Sequence, residues 1–304
     1  MMPERIAIIG AGLMGHGLAQ VFAAAGHPVA IQDPQTDALA TVRQRVAANL
    51  CTLGEDPSAA ERIDPVADLA AAVGSAALVV EAAPEDPDLK HALFARLGEL
   101  TSEDTVLATN TSVIPVGRIA GGLACSNRIV GTHWWNPPYL MPLVEVVQGP
   151  DTDPDIVQRT IDLLRRIGKE AVHVRRDVPG FVGNRLQHAL WREAIALVAD
   201  GVCDAETVDT VVRAGFGRRL AVMGPIENAD LIGLDLTLAI HKQVIADLDV
   251  TPGPNPLLYE LIEQGRLGMK SGEGLRRWPP GSSEAARERL LRHLAPARTQ
   301  ETIS

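Results

Sequence analysis

One histidine and one carboxylate stand twelve residues apart in the segment GTHWWNPPYLMPLVEVV, residues 131–147. Removal of hydride from a secondary alcohol requires a base for the hydroxyl proton, and histidine titrates near the working pH. A carboxylate on the second ring nitrogen fixes the tautomer and stabilises the imidazolium that forms. His133 and Glu145 therefore predict a catalytic pair. The spacing alone is equally compatible with a core histidine and a glutamate that bonds the backbone or a lysine.

A glycine-rich motif, GAGLMG, lies between the first predicted strand and the first predicted helix. Such a turn bends the chain at its first glycine, admits a pyrophosphate at its second and packs helix against strand at its third. The helix N-terminus adds unpaired N–H groups and the positive end of its dipole. A glycine-rich turn that binds nothing is the alternative, and the strand–turn–helix context argues against it. The predicted cofactor-binding residues of this loop are Gly10, Gly12, Leu13, Met14 and Gly15.

An acidic residue, Asp33, ends the second predicted strand, 23 residues after Gly10. A carboxylate at this position accepts hydrogen bonds from a ribose 2′-hydroxyl and repels a 2′-phosphate. The sequence therefore predicts NAD as the cofactor in preference to NADP.

Short β-branched runs alternate with helical patterns in the first part of the chain, which predicts right-handed crossovers and a parallel sheet. Strand signals nearly vanish after RRDVPGF, residues 175–181, where Pro179 and Gly180 mark a joint. The predicted fold is α/β, a Rossmann-like doubly wound parallel sheet in residues 1–178, followed by a mostly helical C-terminal domain in residues 179–304. Roughly the last ten residues are expected to be frayed. The predicted strands occupy residues 6–9, 27–33, 77–81, 105–109, 128–132, 143–147 and 171–174.

Polar residues follow several of these strands on one rim of the predicted sheet, where open α/β sheets bind their ligands. Asn110 and Ser112 follow the strand at 105–109, and Glu85 and Lys90 follow the strand at 77–81. Asn184 opens the first helix past the joint and could reach the same cleft. Each of these residues taken singly is typical of a helix cap or a turn. Their convergence on one rim is what favours a site.

Composition narrows the possible partners. The net charge is −10, from 28 basic and 38 acidic residues, with no basic stripe, so a nucleic-acid partner is not expected. Residues 6–32 carry no charge, but the glycines that interrupt them argue against a membrane span or a signal peptide. The three cysteines are widely spaced and form no C-x-x-C motif, which argues against a disulfide framework and against a metal site. This pattern favours a reducing cytoplasm.

Several segments resemble the L-3-hydroxyacyl-CoA dehydrogenase family, which includes the acyl-CoA enzymes, carnitine and L-gulonate dehydrogenases, lambda-crystallin and a dehydrogenase of pyridoxine degradation. The segments occur in the family's order along nearly the whole chain: IAIIGAGLMGHGLA, EAAPEDPDLK, TNTSVIPV, HWWNPPYLMPLVEVV, DVPGFVGNRL, GPIENADLIGLD and GMKSGEGL. The resemblance implies a Rossmann-like domain, NAD as cofactor, hydride transfer from a 3-hydroxy group, and a homodimer formed through the C-terminal substrate and dimerisation domain.

The resemblance also implies roles for individual residues. His133 would be the general base and Glu145 its orienting partner. Ser112 and Asn184 would hydrogen-bond the substrate oxygen and the surroundings of the imidazole, and Asn136 would hold the nicotinamide carboxamide or the substrate carbonyl. The residues expected to touch NAD outside the glycine loop are Asp33, Glu85, Lys90, Asn110, Ser112, Asn136 and Lys270.

One departure from the acyl-CoA enzymes bears on the substrate. In those enzymes the helix after the ribose-binding acid extends into a long helical hairpin that helps to hold CoA. Residues 33–72 leave room for a clipped hairpin whose second arm is interrupted by Pro57 and Pro65. HWWNPPYL and PEDPDLK also resemble the lambda-crystallin, carnitine and pyridoxine-degradation branch. A small 3-hydroxy acid or related alcohol is therefore expected as substrate. A 3-hydroxyacyl-CoA of fatty-acid oxidation and a non-catalytic, crystallin-like dinucleotide-binding role remain as alternatives.

Overall fold

The structure is a computed structural model that describes residues 3–294. It divides into two compact units, a first unit that holds the residues up to Arg185 and a second unit, Leu186–Arg292. Residues 295–304, for which fraying is expected from the sequence, lie outside the described part of the chain.

The first unit is built on one sheet of eight strands, in the order β3-β2-β1-β4-β5-β6-β7-β8. All neighbouring strands run parallel except β6 and β7, which are antiparallel. The loop between those two is too short to contain the crossover helix that a parallel pair requires. The predicted doubly wound sheet is confirmed, with one reversed strand pair. The strands are β1 (Ile6–Ile9), β2 (Val29–Gln32), β3 (Ile63–Val66), β4 (Leu78–Glu81), β5 (Val106–Thr109), β6 (Ile129–Trp134), β7 (Leu143–Val147) and β8 (Glu170–Val174).

Helices cover both faces of this sheet. Alternate residues of β1 enter two different apolar clusters: Ile6 and Ile8 belong to one, and Ala7 and Ile9 to the other. A strand buried on both faces reads as a continuous apolar run, which is why the sequence pattern located β1 correctly. The helices of the first unit are α1 (Leu13–Ala24), α2 (Thr36–Thr52), α3 (Leu69–Val73), α4 (Pro87–Leu100), α5 (Val116–Ala120) and α6 (Pro154–Arg166), and 3-10 turns lie at Pro57–Arg62 and Ser126–Arg128.

The expected clipped hairpin after α2 is wrong in one respect, because no second helical arm follows. Residues 57–62 form a 3-10 turn, and the chain then enters β3, a strand that the sequence interpretation missed. β3 pairs with β2 alone, at the edge of the sheet, and contains Pro65. Proline lacks the N–H that a central strand needs and is tolerated at an edge. Pro65 therefore argued against a helix in the sequence and also prevented the prediction of a strand.

The second unit is helical, as predicted. Its helices are α7 (Gly183–Ala199), which begins in the first unit, α8 (Ala205–Ala214), α9 (Pro225–Ile232), α10 (Leu234–Val244), α11 (Pro256–Glu263) and α12 (Ser282–Leu294). Within residues 186–292, all of which the structure describes, Ala196 and Leu261 are the only buried apolar side chains. Within residues 3–294, no helix combines the length and the apolar character needed to cross a membrane.

Candidate active site

The glycine loop has the geometry that a dinucleotide requires. Gly10 has a φ of +103°, and a Cβ on it would lie 2.6 Å from the carbonyl oxygen of Ala82. A Cβ on Gly15 would lie 1.7 Å from the carbonyl oxygen of Gly10, so α1 packs against the turn only without a side chain there. A Cβ on Gly12, in contrast, would meet nothing within 4 Å, so the backbone at Gly12 faces open space. A phosphate can approach the loop at that point.

The N-terminus of α1 has no side-chain cap. Gly12 occupies the N-cap position, and the next side chain, Leu13, is 68% exposed. The first N–H groups of the helix are therefore available to an anion, whose charge the helix dipole favours. These residues fit the pyrophosphate of a bound dinucleotide.

Asp33 lies directly beside this loop. Its Oδ2 accepts a hydrogen bond from the N–H of Ala11 at 2.6 Å, and its Oδ1 accepts one from the N–H of Gln35 at 2.8 Å. Each carboxylate oxygen has two acceptor positions, so one remains on each for a ribose hydroxyl. Arg45, a residue that the sequence interpretation missed, reaches across from α2 and donates from Nη2 to the carbonyl oxygen of Ala11 at 2.8 Å.

His133 and Glu145 are directly opposite each other on the antiparallel strands β6 and β7. His133 Nδ1 lies 2.7 Å from Glu145 Oε2, and both side chains are almost completely buried. Glu145 Oε1 accepts hydrogen bonds from the N–H groups of Val182 at 2.9 Å and Gly183 at 3.0 Å. Burial alone would raise the pKa of Glu145, but the hydrogen bonds from His133, Gly183 and Val182 bring it below its ordinary value. Glu145 is therefore a carboxylate near neutral pH.

Aromatic rings enclose the imidazole. The ring centroids of Trp135 and Phe181 lie 5.3 and 5.8 Å from that of His133. A Cβ on Gly183 would lie 2.5 Å from the ring of Trp135, so α7 can begin this close to the pair only with glycine. Phe181, just before this helix, has a φ of +49°, an uncommon conformation for a residue with a side chain. The turn at residues 181–183 is thus shaped to deliver two N–H groups to Glu145.

A second carboxylate, Glu85, organises the loop that follows β5. Its Oε1 accepts hydrogen bonds from Thr111 Oγ1 at 2.6 Å and from the N–H of Ser112 at 2.8 Å. The carbonyl oxygen of Ser112 in turn accepts a hydrogen bond from Asn184 Nδ2 at 2.8 Å. Burial would raise the pKa of Glu85, but the hydrogen bonds from Thr111 and Ser112 and the charge of Lys90 lower it below its ordinary value.

Lys90 lies beneath this loop and not at its surface. Its side chain is 0% exposed, and Nζ lies 2.6 Å from Glu81 Oε1 and 3.3 Å from Glu85 Oε2. Glu81, which the sequence interpretation missed, also accepts a hydrogen bond from Thr109 Oγ1 at 2.7 Å. Burial raises the pKa of Glu81, and the hydrogen-bond donors around it act in the opposite direction. A lone acid at the end of the apolar run LVVE is the same signal that pointed to Glu145 in LVEVV, and it could have found Glu81.

The structure brings many of the predicted site residues around one cavity of about 390 Å³. The glycines of the phosphate loop and Asp33 lie outside its lining, and Glu145 and Lys90 lie behind it. Lys270 belongs to the second unit, where it is exposed. The residues that line the cavity are Met14, Ala82, Ala83, Glu85, Asn110, Ser112, Val113, His133, Trp134, Trp135, Asn136 and Asn184.

Two further side chains fix the cavity wall. Asn110 Oδ1 accepts a hydrogen bond from the N–H of Trp134 at 3.2 Å. Lys169, buried and also missed by the sequence interpretation, donates to the carbonyl oxygens of Pro138 and Met141 at 2.5 and 2.9 Å. These bonds tie the loop after His133 to the sheet. They involve main-chain atoms far apart in sequence, for which the sequence contains no signal.

The strand order and the glycine loop define a dinucleotide-binding protein. The NAD-binding domain model of 3-hydroxyacyl-CoA dehydrogenase matches residues 5–178, and the model of its C-terminal domain matches residues 180–278. The chain belongs to the 3-hydroxyacyl-CoA dehydrogenase family, and its cofactor is NAD.

Individual relatives place the similarity more narrowly. The 5-formyl-3-hydroxy-2-methylpyridine 4-carboxylate 5-dehydrogenase of Mesorhizobium japonicum is 37% identical over 302 residues, 98% of each chain. The L-carnitine dehydrogenase of Streptomyces griseus is 40% identical over 234 residues, 76% of this chain and 70% of that one. The crystal structure of a 5-dehydrogenase acting on the same pyridine carboxylic acid, described as an NAD⁺-dependent dismutase, superposes with a TM-score of 0.89 at 35% identity over 98% of each chain.

Proposed function

We propose that the chain oxidises a secondary hydroxyl group of a small substrate, a 3-hydroxy acid or a related alcohol, with His133 as the base and Glu145 as its partner. The observation that carries the proposal is the buried 2.7 Å contact between His133 Nδ1 and Glu145 Oε2 beside the cavity. Because Nδ1 is engaged by the carboxylate, Nε2 is the nitrogen left for the substrate. The family membership and the open phosphate loop support the same chemistry.

The chemistry divides between the cofactor and the chain. NAD, when bound, supplies the acceptor for the hydride that leaves the carbinol carbon. His133 takes the hydroxyl proton, and the negative charge of Glu145 stabilises the imidazolium that results. Ser112 and Asn184 line the same cavity and provide polar groups for the substrate oxygen. Trp135 and Phe181 exclude water from the imidazole, which strengthens its interaction with the carboxylate.

Three observations support a small substrate over a CoA thioester. The chain forms a 3-10 turn and an edge strand where a second helical arm would stand. Among the described residues that line the cavity, none is a lysine or an arginine that could bind phosphate groups. The two sequence relatives described above are named for small molecules, a pyridine carboxylate and carnitine.

Reduction of NAD with a panel of hydroxy compounds tests the proposal. The panel contains free 3-hydroxy acids, hydroxymethyl and aromatic alcohols, carnitine and 3-hydroxybutyryl-CoA, and a preparation from cells that do not express the chain is the blank for contaminating activity. We expect a free small substrate to give the highest kcat/KM. A CoA thioester preferred tenfold or more over its free acid would assign the chain to acyl-CoA oxidation. Binding of NAD with no turnover of any alcohol would favour the crystallin-like, non-catalytic role.

We also propose that the chain forms a homodimer through its C-terminal domain. The second unit exposes large apolar side chains that include Val222, Ile226, Leu231 and Leu234, each more than 60% exposed. Many large apolar side chains exposed on one unit support an interface between protein chains. The proposed division of labour is that residues 1–178 bind the dinucleotide and residues 179–304 serve substrate binding and dimerisation, in keeping with the two matched family domains.

A cytoplasmic location is part of the same proposal. The three cysteines, Cys51, Cys125 and Cys203, are all free thiols, and a reducing compartment keeps thiols in that state. Fractionation of the source cells, with the chain detected by antibody, tests this assignment.

A further inference from the structure

Both backbone polar groups of Ala11, in the glycine loop, are held by charged side chains. Its N–H donates to Asp33 Oδ2 at 2.6 Å, and its carbonyl oxygen accepts a hydrogen bond from Arg45 Nη2 at 2.8 Å. Ala11 is itself buried, so its carbonyl oxygen needs a donor from the protein. The two partners lie 22 and 34 residues away in sequence. The loop is therefore fixed by side chains from outside it.

Arg45 also binds the start of its own helix. The same Nη2 donates to the carbonyl oxygen of Ala38, in the first turn of α2, at 2.9 Å. Asp33 binds the start of this helix too, because its Oδ1 accepts a hydrogen bond from the N–H of Gln35, the N-cap residue of α2. A closed circuit of contacts thus joins the glycine loop, the carboxylate, the first turn of α2 and the guanidinium.

The carbonyl group that Arg45 binds and the N–H of Gly12 belong to one peptide unit. A hydrogen bond from a cation to the carbonyl oxygen polarises this unit and makes its N–H a stronger donor. The backbone at Gly12 faces open space, since a Cβ there would meet nothing within 4 Å. The guanidinium of Arg45 therefore acts on the part of the loop that an anion can approach.

His16, in the first turn of α1, does not supply this charge. Its Nδ1 lies 2.8 Å from the carbonyl oxygen of Gly12. Burial lowers the pKa of His16, the hydrogen bond to Gly12 raises it, and the charge of Arg45 lowers it again, so that the pKa lies below its ordinary value. His16 is therefore mainly neutral near pH 7, and Arg45 carries the positive charge beside the loop.

We propose that Arg45 is a positioning residue for the diphosphate of NAD. Together with Asp33 it fixes the orientation of the peptide between Ala11 and Gly12, and its charge strengthens the donor that this peptide offers to the anion. The inference concerns the cofactor alone. It holds whether or not His133 is the base of the proposed reaction, and its test requires no substrate.

Binding of cofactor fragments to Arg45→Met is the first measurement. The variant removes the charge and the Nη2 donor but keeps a long unbranched side chain. Fluorescence of bound NADH gives its dissociation constant, and displacement of NADH gives those of ADP and adenosine. We expect the dissociation constants of NADH and ADP to rise about tenfold, and that of adenosine, which has no phosphate, to stay within about twofold. Equal losses for ADP and adenosine, or an unchanged affinity for ADP, would overturn the proposal.

Arg45→Lys separates the charge from the shape of the side chain. Both carbonyl contacts come from one nitrogen, so an ammonium with its three donors can replace it. We expect this variant to bind ADP within about threefold of the wild type. An affinity for ADP as low as that of Arg45→Met would refute the role of the charge. If Arg45→Met fails to fold, Arg45→Gln takes its place, and the ratio of ADP to adenosine affinity decides in the same way.

Arg43→Met is the matched control from the same helix. Arg43 Nε donates to the carbonyl oxygen of Ile63 at 2.5 Å, and its Nη2 lies 3.8 Å from Asp64 Oδ1, so this guanidinium binds β3 and not the glycine loop. We expect Arg43→Met to bind NADH and ADP as the wild type does. A loss as large as that of Arg45→Met would show that any positive charge removed from α2 weakens binding, which contradicts the inference.

Binding of NADP tests a different role for the same guanidinium. An arginine near the acid that ends the second strand is the group that accommodates a 2′-phosphate in NADP-binding folds. We expect Arg45→Met to weaken binding of NAD and NADP by similar factors, because both cofactors contain the diphosphate. A loss for NADP that exceeds the loss for NAD by tenfold or more would assign Arg45 to the 2′-position of the ribose and overturn the proposal.

Discussion

The two units of the chain differ in how much of their own surface they bury. In the first unit, residues from both faces of every central strand enter two apolar clusters, and the side chains of Glu81, Lys90, His133 and Glu145 are buried in two pairs. In the second unit, Ala196 and Leu261 are the only buried apolar side chains of residues 186–292. The first unit encloses a core and a site; the second presents apolar helices that one copy of the chain leaves uncovered.

Local sequence signals locate helix caps correctly in both units, so they do not explain the difference in burial. Asp204 caps α8 by accepting a hydrogen bond from the N–H of Thr207 at 2.7 Å, just as Asp86 caps α4 through the N–H groups of Asp88 and Leu89 at 2.9 Å. Yet Val222 of the second unit is 84% exposed, and Ile226 is 75% exposed. Helix formation is specified locally, whereas burial requires a partner surface. The comparison therefore predicts that substitutions in the first unit alter chemistry and those in the second alter association.

The largest effect is expected from His133→Ala. Removal of a general base lowers the rate by about a thousandfold, and kcat measured at saturating NAD and substrate should show this loss. NAD affinity should remain that of the wild type, because the hydrogen-bond partner of the His133 side chain is Glu145. A variant that keeps more than a tenth of the wild-type kcat would remove His133 from the mechanism.

The next effect concerns the second unit. Leu231 and Leu234, which are 69% and 64% exposed, are both replaced by aspartate. If a second copy covers them, the dissociation constant of the dimer should rise by about a hundredfold, as sedimentation velocity would show. Val172→Asp is the control, because Val172 is an exposed apolar residue of the first unit and should leave the mass unchanged. An unaltered dimer in the Leu231→Asp, Leu234→Asp variant would contradict the proposed interface.

A smaller effect is expected from Asp33→Ala. Loss of a carboxylate that accepts a ribose hydrogen bond and repels a 2′-phosphate should reduce the preference for NAD over NADP by roughly tenfold to a hundredfold. Dissociation constants for both cofactors measure this directly. Because Asp33 also holds the N–H of Ala11, Asp33→Asn is the matched variant that retains an acceptor there. An unchanged preference in both variants would exclude the ribose contact.

Much of the first unit could be predicted from the sequence, because strands buried on both faces have an unambiguous pattern. The apolar run of β1 and the glycines that end it predicted both the strand and the phosphate loop. β3 was not predicted because it is an edge strand that contains Pro65, and a proline in the sequence argues against a strand. Its pairing with β2 depends on a distant partner that the local pattern does not encode.

The site could be predicted only in part, because the contacts that the sequence did not reveal join residues far apart in the chain. The sequence placed His133 and Glu145 in one region, but their contact depends on the antiparallel register of β6 and β7. The N–H groups of Val182 and Gly183, which bind the second oxygen of Glu145, lie more than 35 residues away in sequence. Lys90 was expected on the rim of the sheet, in contact with NAD, and nothing in the sequence indicated that its side chain is fully buried in a pair with Glu81.

The smallest effect is a difference in acid sensitivity between the units. The pKa of Glu145 lies below its ordinary value, so the folded state binds fewer protons than the unfolded state at low pH. Its contribution to stability is present above the ordinary value of 4.5 and is lost as the pH falls through the lower folded value.

Glu145→Gln removes this contribution, so the urea midpoint of the variant, followed by circular dichroism from pH 6 to pH 3, should fall less steeply than that of the wild type. Burial raises the pKa of Glu81 and acts in the opposite sense, so the informative quantity is the difference between variant and wild type.

Asp204→Asn is the matched control from the second unit. Its carboxylate also has a lowered pKa, mainly through the hydrogen bonds from Thr207, but it is fully exposed at a helix cap, where solvent screens the charge. Its effect on the slope should be the smaller of the two. If the urea midpoint falls equally steeply with pH in Glu145→Gln and in the wild type, the buried pair contributes nothing to stability in acid. The difference between the two units would then be one of apolar burial alone.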